Sequence, residues 1–376
     1  GATWVDHDQD GDLDLYLLNG VYLEGVSDPK GKRSFGEASD RFYCNNGDGT
    51  FIDCTERTGL GHRGWSMGAV AGDYDDDGYP DLFLATYGPN RLFHNNGDGT
   101  FSDVAAEVGL VGPKELNGFV KWSVGGSWFD YDRDGDLDLA VCNFLAFDPL
   151  YLHPGKEWEM PEPKEYAGQE SKLYEQRSDG RFEDVTESAG LKYPDSKCMG
   201  ITVLDFDRDG LLDIFQGNDH QENFLFRARG DGTYEEMGLT AGVAVNDAGL
   251  GTGSMHGTPG DIDGDGDIDL LVVDLRHGSL YSKVTPTLFE DVTWASGVGG
   301  LLDGLGQWGA GLVDLDLDGD LDLFTTNGVA HILVGQYPAL AVNDGKGRFE
   351  DARSGAGPYF SSRRSGRGAA FGDYDN

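Results

Sequence analysis

A nine-residue pattern, D-x-D-x-D-G-x-x-D, constrains this chain more than any other feature. It stands at 6–14 (DHDQDGDLD), 73–81 (DYDDDGYPD), 130–138 (DYDRDGDLD), 205–213 (DFDRDGLLD), 261–269 (DIDGDGDID) and 314–322 (DLDLDGDLD). A seventh copy opens at Asp373 as DYDN. Successive copies begin 53 to 75 residues apart, a period that marks one supersecondary unit used repeatedly. Such a unit cannot bury its apolar face alone, so the fold must be a ring or a stack of similar units.

The surroundings of each copy recur too. A glycine-rich apolar stretch (GAVAG, GAGLV, GAAFG) precedes the acidic loop, and an apolar or alternating run (LFLAT, LFTTN) follows it. These read as two strands around a loop. A second hairpin comes next, with the turn signal of RFYCNNGDGTFIDCT or RLFHNNGDGTFSDVA. Four short strands per unit predict an all-β chain, a seven-bladed β-propeller with six complete repeats and the start of a seventh. A linear solenoid is the competing architecture. The approximate repeats are 1–65, 66–122, 123–197, 198–253, 254–306, 307–365 and 366–376, read as one domain. Beginning and ending on equivalent strands, the chain is expected to be cut from a longer protein.

Carboxylates this close repel, so the loops call for a cation. Calcium takes about six to eight oxygens at about 2.3 to 2.6 Å, and alternate carboxylates with a glycine at the sharp turn suit it. The predicted ligands are Asp6, Asp8, Asp10, Asp12 and Asp14; Asp73, Asp75, Asp77, Tyr79 and Asp81; Asp130, Asp132, Asp134, Asp136 and Asp138; Asp205, Asp207, Asp209, Leu211 and Asp213. The series continues with Asp261, Asp263, Asp265, Asp267 and Asp269; Asp314, Asp316, Asp318, Asp320 and Asp322; and Asp373 and Asp375 in the truncated copy. Position seven varies between Asp, Tyr79 and Leu211, as fits a backbone-carbonyl ligand. Magnesium prefers fewer protein ligands, and transition metals want His or Cys, present within these loops only as His7 at a non-ligand position. One Ca²⁺ per complete repeat, about six in all, would take the formal charge of −39 to −27.

That charge, from 67 acidic and 28 basic residues, excludes nucleic acid and anionic membranes as electrostatically steered partners. No apolar run approaches the length of a membrane span, so membrane insertion is not expected. Loops of this kind suit the calcium levels outside cells, so the expected location is secreted, cell-surface or periplasmic. Cys44 and Cys54 flank the first hairpin turn symmetrically. They read either as a cross-strand disulfide, if the register centres on Gly49, or as two small apolar residues. Whether Cys142 and Cys198 meet is left open.

Two inserts follow acidic loops, from Asn19 to Asp40 and from Asn143 to Ser171. The second carries Phe144, Phe147, Tyr151, Trp158 and Tyr166, a composition suited either to partner contact or to packing on itself. GWSMG at 64–68 matches a nucleophile elbow, but Ser66 occupies a repeat position shared with Ser123, Cys198 and Ser254. GLGQWG at 304–309 leads toward a strand instead of a phosphate-binding helix, and the RGD at 229–231 falls on a hairpin turn.

Several segments carry a family resemblance: KCMGITVLDFDRDGLLDIFQGNDHQENFLFRARGDGTYEEMGLTAGVA (197–244), SKLYEQRSDGRFEDVTESAGL (171–191), FTTNGVAH (324–331) and SGRGAAFGDYDN at the end. The chain resembles FG-GAP (VCBS) repeat proteins of the ASPIC/UnbV group. The resemblance implies an integrin-α-like propeller with calcium in the nine-residue loops, acting in adhesion or recognition. In that group an ASPIC/UnbV module follows the last blade; it lies outside this sequence. SLYSKVTPTLFEDVT (279–293) departs from the pattern by lacking the N-x-G-D-G-T turn.

The leading functional expectation is a calcium-binding extracellular adhesion, recognition or scaffold module, with no catalysis of its own, that presents one propeller face to a protein or glycan. The alternatives are a polysaccharide lyase, which would need a base and a charge-neutralising residue in a cleft, and a lectin using Trp65, Trp122 and Trp308.

Overall fold

The computed structural model describes residues 1–20, 38–151, 161–246, 248–329 and 334–374. Trp158 and Asp375, and most of the first insert, lie outside them. The chain divides into two compact units, Gly1–Cys198 with Ala370–Asn376, and Met199–Ala369.

The first unit holds three antiparallel four-stranded meanders. They are Ala2–Val5, Asp14–Leu17, Arg41–Asn45 and Phe51–Asp53; Ser66–Gly72, Asp81–Thr86, Arg91–Asn95 and Phe101–Asp103; and Ser123–Phe129, Asp138–Asn143, Lys172–Gln176 and Phe182–Asp184. The second unit repeats the plan. Cys198–Leu204, Asp213–Gln221, Phe224–Ala228 and Tyr234–Glu236 form one set, Thr252–Gly260, Asp269–Asp274, Ser279–Thr285 and Leu288–Asp291 another. Pairing of Asp219 with Gly253 joins these two sets into one sheet. The last set is Gln307–Val313, Asp322–Asn327, Ala339–Asn343 and Phe349–Asp351. Helix is confined to pieces such as Thr55–Thr58 and Val298–Leu302, so the fold is all-β.

The second strand of each set explains the near-continuous apolar runs. In Asp81–Thr86 all six residues are buried, and successive side chains point to opposite faces. Leu82 and Leu84 join Tyr16, Phe42 and Phe93 in one core, while Phe83 and Ala85 join Leu139, Val141 and Tyr174 in the next. Asp269–Asp274 divides likewise: Leu271 and Val273 enter one core, Leu270 and Val272 another. A strand covered on both faces has no polar side to alternate with.

The acidic loops connect first to second strands, as expected. Each position-nine aspartate is the first residue of its second strand: Asp14, Asp81, Asp138, Asp213, Asp269 and Asp322. In the fifth repeat the hairpin lacking the usual turn still forms, with a bulge between Lys283 and Thr285.

Cys44 and Cys54 form a disulfide with Cα atoms 6.0 Å apart. The register is not the symmetric one, because Cys44 pairs with Ile52 and the hairpin centres on Asp48. Cys54 lies one residue beyond the strand and reaches back diagonally. Cys142, on the second strand of the third set, and Cys198 are also bonded, with a Cα separation of 5.5 Å, both within the first unit.

Candidate metal centre

All six complete loops are folded by one set of local hydrogen bonds. The position-nine carboxylate is buried and accepts twice from backbone. In the second loop Tyr74 N donates to Asp81 Oδ2 (3.2 Å) and Asn95 N to Oδ1 (2.7 Å). In the fourth loop Phe206 N and Ala228 N do the same for Asp213, at 3.0 and 2.8 Å. These bonds pin the loop to the third strand, so position nine is an anchor as well as a candidate ligand. Position one caps the turn: Asp73 accepts from Gly78 N (2.9 Å) and Asp205 from Gly210 N (2.9 Å). Position five accepts from position seven, Asp77 from Tyr79 N and Asp209 from Leu211 N, each at 2.9 Å.

Position six is glycine at positive φ throughout, from 82° at Gly210 to 101° at Gly319. Position four is left-handed as well: Gln9, Asp76, Arg133, Arg208 and Leu317 have φ between 55° and 68°, and Gly264 has 72°. For a leucine this is a sparsely populated conformation, imposed by turning three carboxylates inward. Sequence pattern does not reveal it, because the residue type at position four varies freely.

The turn brings ligand atoms together. Asp6, Asp8 and Asp10 offer oxygens within 4.8 Å of one another, as do Asp73, Asp75 and Asp77, and Asp130, Asp132 and Asp138. Oxygens gathered this closely could be shared by one hard dication, which takes oxygen ligands at about 2.3 to 2.6 Å. The residues therefore fit a hard dication. Without one the loops are under electrostatic tension: burial first, then neighbouring carboxylates, holds Asp75, Asp132 and Asp263 above the usual carboxylate range. Burial pushes Asp81, Asp138 and Asp213 up to about 7 and Asp269 to about 6.

Position-seven side chains lean on the turn glycine of the outer hairpin. A Cβ on Gly97 would stand 3.0 Å from the Tyr79 ring, and one on Gly230 would stand 3.4 Å from Leu211. The truncated seventh copy is placed by Tyr374, which stacks on Trp4 with ring centroids 5.8 Å apart; Asp373 beside it is exposed. One histidine was missed by sequence reasoning. His94, on the third strand, sits 3.4 Å from Asp75 and 3.2 Å from Asp81, so an imidazole does border the second loop.

The aromatic insert is turned inward. Trp122 meets Phe144 and Phe147 edge-on, Phe147 packs on Tyr166, and Tyr166 on Tyr151. Phe144 and Tyr166 are each 8% exposed, which corrects a partner-contact role for them to one of internal packing; Tyr151 alone of these four is exposed. Ser66 donates to Asp40 (2.6 Å), and both are buried. Lys121 and Ser123 stand 2.9 Å apart, a Ser–Lys pair, yet both are sealed in the core and burial lowers the lysine to about 7. In the RGD segment Asp231 accepts from Thr233, the bond Asp98 makes with Thr100 in an ordinary N-G-D-G-T turn. Sequence reasoning did not single out Trp294, which is 66% exposed and lines a cavity of about 310 Å³ with His277, Asp291 and Asp303. His277 Nδ1 lies 2.9 Å from Asp303.

Strands in repeated sets of four, each with an aspartate loop folded to one frame, define an acidic-loop repeat protein by class. The family model for FG-GAP-like repeats matches residues 6–84, 73–141, 166–216 and 205–272, and the chain belongs to that family. It is 31% identical over 231 residues to human cartilage acidic protein 1, covering 59% of this chain and 29% of the relative. The mouse protein of the same name is 29% identical over 288 residues, covering 74% of this chain and 38% of the relative. The chain thus spans well under half the length of these relatives. Among solved structures, it is similar to an Agrocybe aegerita lectin that recognises non-reducing terminal N-acetylglucosamine, at 16% identity and TM-score 0.49 over 93% of this chain and 78% of that one. A Trypanosoma rangeli sialidase follows at 12% identity and TM-score 0.46, over 90% of this chain and 53% of that one.

Proposed function

We propose that the chain is a calcium-stabilised extracellular recognition or scaffold module, a seven-bladed propeller of four-stranded blades with no catalysis of its own. The observation that carries the reading is the common frame of the acidic loops, which converge carboxylates at calcium spacing while burying the position-nine anchor. When bound, calcium supplies the positive charge that lets these carboxylates stay ionised at close quarters. The protein's part is to turn positions one, three and five inward and to hold position nine against the third strand.

Seven blades are supported by how the truncated copy packs. Tyr374 stacks on Trp4 as Tyr74, at the same loop position in the second repeat, stacks on Trp128 of the third. Asn45 donates to Tyr374 O at 2.8 Å, as Asn95 donates to His7 O at 2.8 Å. The seventh copy therefore adjoins the first repeat as any repeat adjoins its successor.

An extracellular setting is supported by two disulfides, which persist where the environment is oxidising, and by relatives named for cartilage. No helix among the described residues is long and apolar enough to cross a membrane. Partners are proteins or glycans; nucleic acid is disfavoured by charge. The decisive experiment is thermal unfolding in millimolar calcium and in excess EGTA, with calcium counted per chain by elemental analysis. A melting temperature indifferent to EGTA, with no bound calcium, overturns the reading.

Glycan binding is favoured as a second reading by Trp294, whose exposed indole beside His277, Asp291 and Asp303 offers an apolar platform with polar neighbours. A glycan array on wild type and Trp294→Ala tests it, and signals equal in both reject it. A uronide-cleavage assay with no product excludes the lyase alternative.

A further inference from the structure

The six loops are alike in their own residues and differ in what the third strands aim at them. The residue just before the backbone donor to position nine holds one register position beside the loop of its own repeat. It is Cys44, His94, Glu175, Arg227, Ser282 and Val342 in repeats one to six. Only the fourth is a permanent cation. Arg227 Nε lies 2.5 Å from Asp207 Oδ2, and Nη2 lies 3.2 Å from Asp209 Oδ2, so the guanidinium spans positions three and five. The Asp207 side chain is left 3% exposed, against 43% for Asp8 and 32% for Asp75 at the same position.

The backbone donor's own side chain reaches the loop of the preceding repeat. Asn95 and Asn343 there donate to the position-two carbonyls of His7 and Ile262, both at 2.8 Å. In the fifth repeat this residue is Lys283, 4% exposed, and the loop it reaches is again the fourth. Its Nζ stands 5.2 Å from the ring of Phe206, position two of that loop, and finds no hydrogen-bond acceptor. The charges facing it are Asp267 of its own loop and Asp207, Asp205 and Asp213 of the fourth. Arg227 adds its charge, while the loop's own Arg208, at position four, turns to Asp267 of the fifth loop at 3.1 Å. Two positive charges from the third strands therefore bear on the fourth loop, the formal charge of one calcium ion, with that of Lys283 shared with Asp267.

We infer that the fourth loop, Asp205–Asp213, is neutralised by the protein's own Arg227 and Lys283, and that calcium fills the other complete loops but not this one. The inference rests on the calcium reading above. A dication entering this loop would have to displace the guanidinium from both carboxylates and then sit beside a buried ammonium. In the second loop an imidazole, His94, borders Asp75, and in the fifth Arg208 and Lys283 face Asp267, whose position-seven role is a backbone carbonyl. A fixed internal cation also keeps this part of the second unit formed when calcium is withdrawn.

The test is a calcium count per chain after equilibration with CaCl₂, on wild type and on Arg227→Ser/Lys283→Asn, which installs residues found at these positions in other repeats. The expected result is five ions in wild type and six in the double variant. Six in wild type overturns the inference and leaves the calcium reading standing, and five in both overturns the assignment to these two cations. None in either brings down the calcium reading and the inference with it. If the double variant does not fold, Asp207→Asn/Asp209→Asn and Asp316→Asn/Asp318→Asn serve instead. The first should retain all five ions and the second should fall to four; loss of an ion from the first contradicts the inference.

Discussion

The second and fourth acidic loops share their hydrogen bonds almost distance for distance, yet face opposite electrostatic surroundings. Asp73–Asp81 opens to solvent and is bordered by the His94 imidazole. Asp205–Asp213 is closed over by Arg227 and Lys283. Loop geometry is therefore set by the nine residues themselves, while the occupant is set by side chains arriving from neighbouring strands. Identical motifs need not be identical sites.

Calcium removal should have the largest effect and should strike loops of the second kind alone. Each site saturated about 100-fold over its dissociation constant contributes about 2.7 kcal/mol, so EGTA should lower the melting temperature by more than about 10 °C in a differential scanning measurement. The metal-free protein should also lose stability as pH rises from 4 to 7. Asp81, Asp138 and Asp213 titrate near 7 and Asp269 near 6, against a reference of 3.8, so the folded state holds more protons across that window and the stability is lost as they leave. Asp81 and Asp213 shift alike, so this slope should be the same whichever loop is disabled; melting temperatures in EGTA from pH 4 to 8 check it.

Next in size is the disulfide beside the fourth repeat. Cys142 and Cys198 close a long loop with a sequence separation of 56, and replacing both by alanine should cost about 4 kcal/mol in urea unfolding. The shorter Cys44–Cys54 loop, with a separation of 10, should cost about 3. Asp75→Asn/Asp77→Asn should lose one ion and about 2 to 3 kcal/mol of calcium-dependent stability. The matching change in the fourth loop should lose no calcium-dependent stability, which sharpens the contrast. Smallest of all, Leu317→Gly relieves a left-handed leucine at φ 63° and should be neutral or stabilising by up to about 1 kcal/mol.

Much of this was legible because it is local. The loop period, the strand on either side, the outer hairpin and the inward carboxylates all follow from residues within a few positions of one another. The left-handed residue at position four was not, since Gln9, Arg208 and Leu317 share no side-chain chemistry and the backbone alone makes the demand. The disulfide register also escaped, because symmetric spacing about Gly49 suggested a directly opposed pair where the turn chose Asp48 as its centre. The aromatic insert's composition suits solvent or self-contact, and Trp122, just ahead of the Ser123–Phe129 strand, supplies the surface on which it packs.

By itself the sequence determined the repeated unit, its four-strand order and the frame of each acidic loop, since those depend on short-range turns and on alternation along a strand. Tertiary structure alone decided which cysteines meet, which aromatics are hidden, and which loop carries its own cations. Those outcomes depend on strands that pair or stack across tens of residues. A charge such as Lys283 acquires its meaning only when packing sets it against a loop from another repeat.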